Sequence, residues 1–138
     1  MIYSGADIHA MDAETELPNH EMSWHSAEEQ QRGIAETACG GILKRLGKVN
    51  TVGKVGDIGV DITWNHMKVK CPILSVLRLA KEGHDIWLHK DGGEVIDSKT
   101  GKKMPFLVHH GVYYMKILVT DPTTDAKSNV PGFARLGA

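Results

Sequence analysis

The sequence contains eight histidines, a residue type that can bind a metal ion or transfer protons near neutral pH. Zinc requires three or four ligands that converge at about 2 Å, usually from closely spaced positions on rigid elements. These histidines are scattered along the chain: His9, His20, His25, His66, His84, His89, His109 and His110. The adjacent pair would point to opposite faces of a strand. We therefore expect surface histidines and no metal site.

Three side chains could act as nucleophiles, namely Ser4, Cys39 and Ser75. None lies in a Gly-x-Ser-x-Gly elbow, and no local signature pairs a cysteine with a histidine. The glycines at positions 53, 56 and 59 lack the strand-then-helix context that a phosphate site requires, and their spacing favours a twisted or bulged strand pair. No cofactor is predicted.

The composition limits the classes of protein to which this chain could belong. The chain has 138 residues, of which 41% are hydrophobic and 24% charged, as expected for one globular domain. No apolar run approaches the roughly 18 residues of a membrane helix, and no signal-peptide pattern follows Met1. Two cysteines, Cys39 and Cys71, cannot form a disulfide scaffold. They are predicted to be small buried side chains in a reducing, cytoplasmic compartment.

The charge gives no reason to expect direct nucleic-acid binding. The net charge is −1, and the tryptophans at positions 24, 64 and 87 do not alternate with a basic stripe. Trp64 and Trp87 are predicted to be core or half-buried strand residues. Residues 1–41 contain eight acids and one base, whereas residues 42–138 contain nine acids and fifteen bases. We interpret both sets as solvated surface.

Glycine-rich turns divide the chain into short strands. Val49–Ile62 predicts a twisted strand pair, since interior glycines disfavour a helix. The segment Lys90–Gly93 predicts a tight hairpin between strands at 85–89 and 94–96, because Asp-Gly and Gly-Gly supply positive φ. Further turns at 98–102 and 109–111 would lead into strands Met104–Val108 and Val112–Val119.

Helical signals are few. Ile73–Lys81, followed by Gly83, predicts one or two helical turns with a glycine cap. The polar segment 14–31 is predicted to be a loop, with a short helix at Ser26–Arg32 because Ser26 and Glu29 have the spacing of a capping box. The expected fold is all-β and mainly antiparallel, with one short helix. Residues 120–138 are expected to be a flexible tail or linker.

Three segments, in this order, carry a resemblance to a known family: Ser4-Gly5-Ala6-Asp7-Ile8-His9, then Thr37-Ala38-Cys39-Gly40-Gly41-Ile42, then Pro72-Ile73-Leu74-Ser75-Val76 continuing to Gly83. They resemble the active-site turn, the flap hairpin and the Leu-Leu-Ser-Val segment of the aspartic protease domain of copia-type retrotransposon polyproteins. This domain is a divergent member of the retropepsin-like family. The resemblance covers about residues 2–119.

The resemblance implies a small closed retropepsin-like β-barrel over residues 1–119 that hydrolyses polyprotein peptide bonds as a homodimer, without a cofactor. The floor of its site would be Tyr3, Ser4, Gly5 and Ala6. The flap would be Ala38, Cys39, Gly40, Gly41 and Ile42. His9, Ile73, Leu74, Ser75 and Val76 would support the floor. The expected partners are extended peptides or polyprotein segments, with neither a nucleic acid nor a membrane.

Tyr3 departs from the family at the catalytic position, where an aspartate precedes Ser-Gly-Ala. Each chain of a retropepsin dimer gives one aspartate to a dyad that shares a proton. A phenol ionises only in strongly alkaline solution, so it supplies no base. The loss should cost about 10²- to 10⁴-fold in rate. Asp7 lies beyond the turn, and Asp12 is farther away, so neither is expected to substitute.

The family also has an apolar strand before the aspartate, whereas only Met1 and Ile2 precede Tyr3. We therefore expect a truncated N-terminal strand and a weakened dimer. The leading hypothesis is a protease-like domain that is catalytically impaired and still binds extended peptides. The alternative is a non-catalytic structural or peptide-interaction module of a polyprotein. A third hypothesis is a decayed copy without a selected function.

Overall fold

The computed structural model describes residues 1–3, 6–15, 17–32, 34–36, 42–121 and 134–135, and within them the chain is mainly β. The strands are β1 Ile2–Tyr3, β2 Ala10–Asp12, β3 Met22–Trp24, β4 Ile34–Glu36, β5 Ile42–Lys44, β6 Gly47–Val55, β7 Ile58–Met67, β8 Leu74–Ser75, β9 His84–His89, β10 Gly92–Asp97, β11 Lys103–His109, β12 Val112–Tyr114, β13 Leu118–Val119 and β14 Ala134–Arg135. The helices are α1 Ala27–Arg32 and α2 Val76–Lys81.

The strands form two six-stranded arrays and one separate pair. Sheet A has the order β8-β1-β12-β11-β10-β9, and all its pairs are antiparallel except β1 with β8. Sheet B has the order β13-β6-β7-β14, with β2 also on β7 and β3 also on β6. The β4–β5 pair stands alone in the described residues. The result is a curled half-barrel, which confirms the mainly β class.

One buried cluster joins the two sheets. It receives Ile2, Leu74, Val95, Met104 and Phe106 from sheet A, and Val49, Val55, Val60, Ile62 and Trp64 from sheet B. The Trp64 indole N–H donates to the Thr51 hydroxyl at 2.8 Å, so its polar atom is satisfied in the core. Leu79 of α2 is fully buried in the same cluster, which ties the helix to the strands.

The predicted hairpins are present. β6 and β7 pair from Gly47–His66 to Val55–Ile58, and Gly56 has a φ of 59° in the turn between them. β9 and β10 are joined by Lys90 and Asp91, in the predicted place. Gly53 has a packing role, since a Cβ there would overlap the Leu118 carbonyl oxygen of the neighbouring strand β13.

The predicted single strand Val112–Val119 is wrong. β12 ends at Tyr114 in sheet A, and β13 begins at Leu118 in sheet B, where it pairs with β6. Met115 is buried at the crossing between them. The alternation of apolar residues continues across the break because the chain keeps contributing to one core while it changes sheets.

The prediction of a single helix is also wrong, because both helical signals form helices. In α1, the Ser26 N–H donates to the Glu29 carboxylate at 2.9 Å and the Glu29 N–H donates to the Ser26 hydroxyl at 3.2 Å. This is the capping box that the sequence predicts. Gly83 follows α2 with a φ of 88°, as a glycine after a helix end does. Neither helix, at six residues each, is long and apolar enough to cross a membrane, and the described residues contain no other.

We expect α1 to loosen in acid. The hydrogen bond from the Ser26 N–H to the Glu29 carboxylate, together with the nearby His25, holds the pKa of Glu29 below its usual value. A carboxyl with a lowered pKa in the folded chain stabilises the fold above its unfolded pKa, and this contribution is lost as the pH falls through the folded value. The amide signals of Ser26 and Glu29 should therefore shift in acid in an NMR titration. In Glu29→Gln, which keeps an acceptor, those shifts should vanish; their persistence would contradict the assignment.

Three further expectations meet different outcomes. Trp64 is buried as predicted, but Trp87 is 59% exposed because β9 is an end strand of sheet A. Cys71 is partly exposed, so it is not the buried side chain expected, and Cys39 lies outside the described residues. Of the predicted tail, Ala134–Arg135 pairs in parallel with Val60–Asp61, and Asp121 accepts hydrogen bonds from Asn19.

Candidate functional site

Strand β1 is an interior strand of sheet A, between β8 and β12, although it is only two residues long. Ile2 and Tyr3 pair in parallel with Leu74 and Ser75, and Ile2 also pairs with Tyr113 of β12 on the other side. Ile2 is buried in the core, whereas Tyr3 is 41% exposed. The alternation of a strand thus anchors one side chain and leaves the next facing solvent. Tyr3 therefore ends the strand with its phenol accessible to a ligand.

Ser75 connects the predicted floor to the supporting segment. Its hydroxyl donates to the Ala6 carbonyl oxygen at 2.7 Å and accepts the Arg78 N–H at 3.1 Å. The second bond caps the start of α2, because Ser75 is the extended residue just before the helix. Ser75 is fully buried. One hydroxyl therefore bonds to both Ala6 and the first turn of the helix.

His9, the residue just before β2, completes this network. The Ser75 N–H donates to Nδ1 of His9 at 2.9 Å, so this nitrogen must be the unprotonated one. The His9 carbonyl oxygen in turn accepts both the backbone N–H and the side-chain amide of Asn65, at 3.0 and 2.9 Å. His9 is 1% exposed. This geometry makes it a structural residue that no substrate can reach.

The structure brings most of the predicted supporting residues together. Ile73 forms a two-way backbone pair with Ala10, Leu74 lies beside Ile2, and Val76 begins α2. Ser4 and Gly5 lie outside the described residues, as do Ala38, Cys39, Gly40 and Gly41 of the predicted flap. Ile42 begins β5, which pairs antiparallel with β4 on either side of that interval. The flap prediction thus falls between two paired strands.

Two described carboxylates follow the predicted floor in the sequence. Asp7 is exposed next to Ala6, and an Asp12 carboxylate oxygen accepts the Glu14 N–H at 3.1 Å in a local turn. Within the described ranges, no three histidine, cysteine or acidic side chains are placed to hold a metal ion. The arrangement presents an exposed phenol at the end of a strand that is paired on both sides at Ile2.

Asn65 is a residue that the sequence analysis missed. It is buried in β7, where its amide donates to the His9 carbonyl oxygen and its side-chain oxygen accepts from the Arg45 guanidinium at 2.8 Å. An asparagine between Trp64 and His66 was the only signal in the sequence, because an amide that becomes buried needs hydrogen-bond partners. It positions His9 and, through His9, Ser75.

Comparisons with protein-family models, with curated proteins and with solved structures give no match to this chain. The functional conclusion therefore rests on the residues and contacts of the chain itself.

Proposed function

We propose that this chain is a retropepsin-like domain derived from the polyprotein of a copia-type retrotransposon, and that it binds extended peptide segments without cleaving them. The proposal includes the closed barrel of that family, to which the curled sheets would belong. It also includes pairing of two copies, in the reducing cytoplasm. The peptide would lie between the floor that begins at Tyr3 and a flap carried by β4 and β5.

The observation that carries the proposal is the parallel pairing of Ile2–Tyr3 with Leu74–Ser75, locked by Ser75. In the resembled family, the Leu-Leu-Ser-Val segment packs under the catalytic turn and leads into a helix. Here the matching segment lies beside β1, bonds to Ala6 and leads directly into α2. Contacts between residues this far apart in sequence, at two of the three motifs that carry the resemblance, support the assignment.

The identity of residue 3 supports the proposed absence of cleavage. Hydrolysis by two carboxylates needs one ionised oxygen to take a proton from water and one protonated oxygen to donate to the peptide carbonyl. Tyr3 carries no carboxyl group, so a dyad of this kind has no carboxylate at this position. In a pair of identical chains both bases are lost together. Peptide binding does not need the missing carboxylate, because an extended peptide is held largely through main-chain hydrogen bonds.

The test is a mixed library of extended peptides, offered to the immobilised chain between about pH 4 and 7, the range in which a carboxylate dyad would work. We expect a subset of peptides to be retained and no new peptide ends in mass spectrometry. Light scattering would report whether two copies pair. Two exposed aromatic side chains provide the comparison, Tyr3 at the floor and Trp87, which is 59% exposed on β9 and belongs to neither the floor nor the flap.

Retention at the floor should be lost in Tyr3→Lys and kept in Trp87→Lys. Cleavage by the unmodified chain would contradict the proposed loss of catalysis. If no retained peptide depended on Tyr3 and the chain were monomeric, the floor would not be a binding site. The alternative, a structural module that only holds neighbouring polyprotein segments, would then replace the proposal.

A further inference from the structure

An open apolar groove of about 760 Å³ lies where the chain passes from sheet A to sheet B. One wall is the outer part of β11, including Leu107, and the other is the tip of the β6–β7 hairpin at Val55. The crossing from β12 to β13 closes the groove with Tyr114 and Met115. The groove exists because the strand break after Tyr114 separates the two sheets at this end of the core.

The groove exposes large apolar side chains. Leu107 is 69% and Leu118 63% exposed, and both line it. Val108 and Tyr114 are also substantially exposed there. Contiguous exposed apolar surface is uncommon on soluble domains and marks binding surfaces. The volume is within the range of ligand sites, about 300–1,000 Å³, so it exceeds what one side chain would fill.

The ionisable side chains that line the groove, apart from the Tyr114 phenol, are all basic residues. Lys54, Lys116 and His109 line it, and none of its lining residues is an aspartate or a glutamate. The whole chain has one more acid than base, so this segregation is local. Neither lysine forms an ion pair in the part of the chain that the structure describes. An anionic partner would therefore meet uncompensated positive charge.

We propose that this groove binds an extended peptide segment of another protein in which acidic and apolar side chains alternate. The apolar side chains would cover Leu107, Tyr114 and Leu118, while the carboxylates would meet the lysines. The lining excludes Tyr3, Ala6, His9 and the segment 73–76, so the groove is separate from the floor. The inference stands without the proposed function.

The positions of these three basic residues favour a peptide over a long-chain carboxylate as the ligand. His109 belongs to sheet A at the end of β11, Lys54 to sheet B beside Leu118, and Lys116 to the crossing between the sheets. A fatty acid carries one charge at one end, so it would leave the other basic residues without an anionic partner. An extended peptide places side chains on alternate sides. It can therefore present carboxylates to more than one of these positions.

The experiment measures the affinity of the full chain for a fluorescein-labelled hexapeptide of alternating glutamate and leucine. Lysine–leucine and glutamate–serine hexapeptides are the matched probes, and laurate is the lipid competitor. The glutamate–leucine peptide should bind most tightly and lose affinity at high salt. Its NMR shift changes should centre on Leu107, Tyr114 and Leu118. In Lys54→Gln/Lys116→Gln, affinity should fall about tenfold, as two exposed ion pairs allow.

Matched variants separate the groove from the general surface. Leu107→Gln should weaken binding about fivefold through lost apolar contact. Leu88→Gln, also exposed but on β9, should not, and neither should Lys90→Gln/Lys99→Gln. Equal binding of the glutamate–leucine and lysine–leucine peptides would overturn the proposal. So would equal effects of the matched variants, displacement by laurate with no peptide preference, or a dimer of this chain that occupies the groove.

Discussion

Replacing Tyr3 by aspartate is expected to raise peptide cleavage by at least about 10²-fold, and by as much as about 10⁴-fold, over the unmodified chain. The backbone at this position is already held by pairing on both sides of Ile2 and by the Ser75–Ala6 hydrogen bond. The side chain is exposed, so an aspartate can replace the phenol without filling or emptying the core. Only the missing carboxylate would be added.

Cleavage would be measured with the mixed peptide library between about pH 4 and 7, because two carboxylates that share a proton act in acid. Two copies joined in tandem by a glycine–serine linker would supply both aspartates at a high effective concentration. Tyr3→Asn is the matched control, since it has nearly the shape of aspartate and no acid. A folded, paired Tyr3→Asp chain that cleaves nothing, or an active Tyr3→Asn, would remove the main support for a protease ancestry.

Ser75→Ala is expected to lower the free energy of unfolding by about 2–3 kcal/mol. A helix N-cap is worth about 1 kcal/mol. Loss of the hydroxyl also removes a hydrogen bond worth about 0.5–1.5 kcal/mol, and more where the Ala6 carbonyl is left without a partner. Urea unfolding, followed by tryptophan fluorescence, would measure the change.

Ser98→Ala is the matched control for this loss. Its hydroxyl also donates to a backbone carbonyl at 2.7 Å, that of Gly83, but the bond is exposed to water, which can replace it. We expect a loss of at most about 1 kcal/mol there. Equal losses in the two variants would show that Ser75 does not hold the floor. In Ser75→Ala, peptide retention that depends on Tyr3 should weaken as well.

Local signals predicted local structure well. The capping box of Ser26 and Glu29 and the turn at Lys90–Asp91 need only neighbouring residues, so their chemistry is readable along the chain. The break after Tyr114 was not, because residues 112–119 keep an apolar pattern while their hydrogen-bond partners change from β11 to β6. Only the partner strands, which are distant in sequence, determine where such a strand ends.

In the candidate site, too, contacts between distant residues could not be predicted from local patterns. Ser75 beside Tyr3 was expected from the resemblance alone, since no periodicity links positions so far apart. The contribution of Asn65 was missed because a polar residue in an apolar strand does not reveal its partner. Trp87 was misplaced because side-chain type predicts burial only on average, and the order of strands in sheet A decided its exposure. The groove likewise depends on the separation of two sheets.

The parallel pairing of β1 with β8 has a consequence for the order of folding. The bonds from Ser75 to His9 and Ala6 join residues 66 and 69 positions apart. Closing such a loop costs conformational entropy before any contact repays it, whereas the hairpins along β6–β7 and β9–β12 close locally. The floor should therefore assemble late, after the hairpins. During synthesis, Ser75 must have left the ribosome before its bonds to Ala6 and His9 can form. Amide hydrogens of Ile2 and Leu74 should consequently exchange through smaller openings than those of the long β6–β7 hairpin.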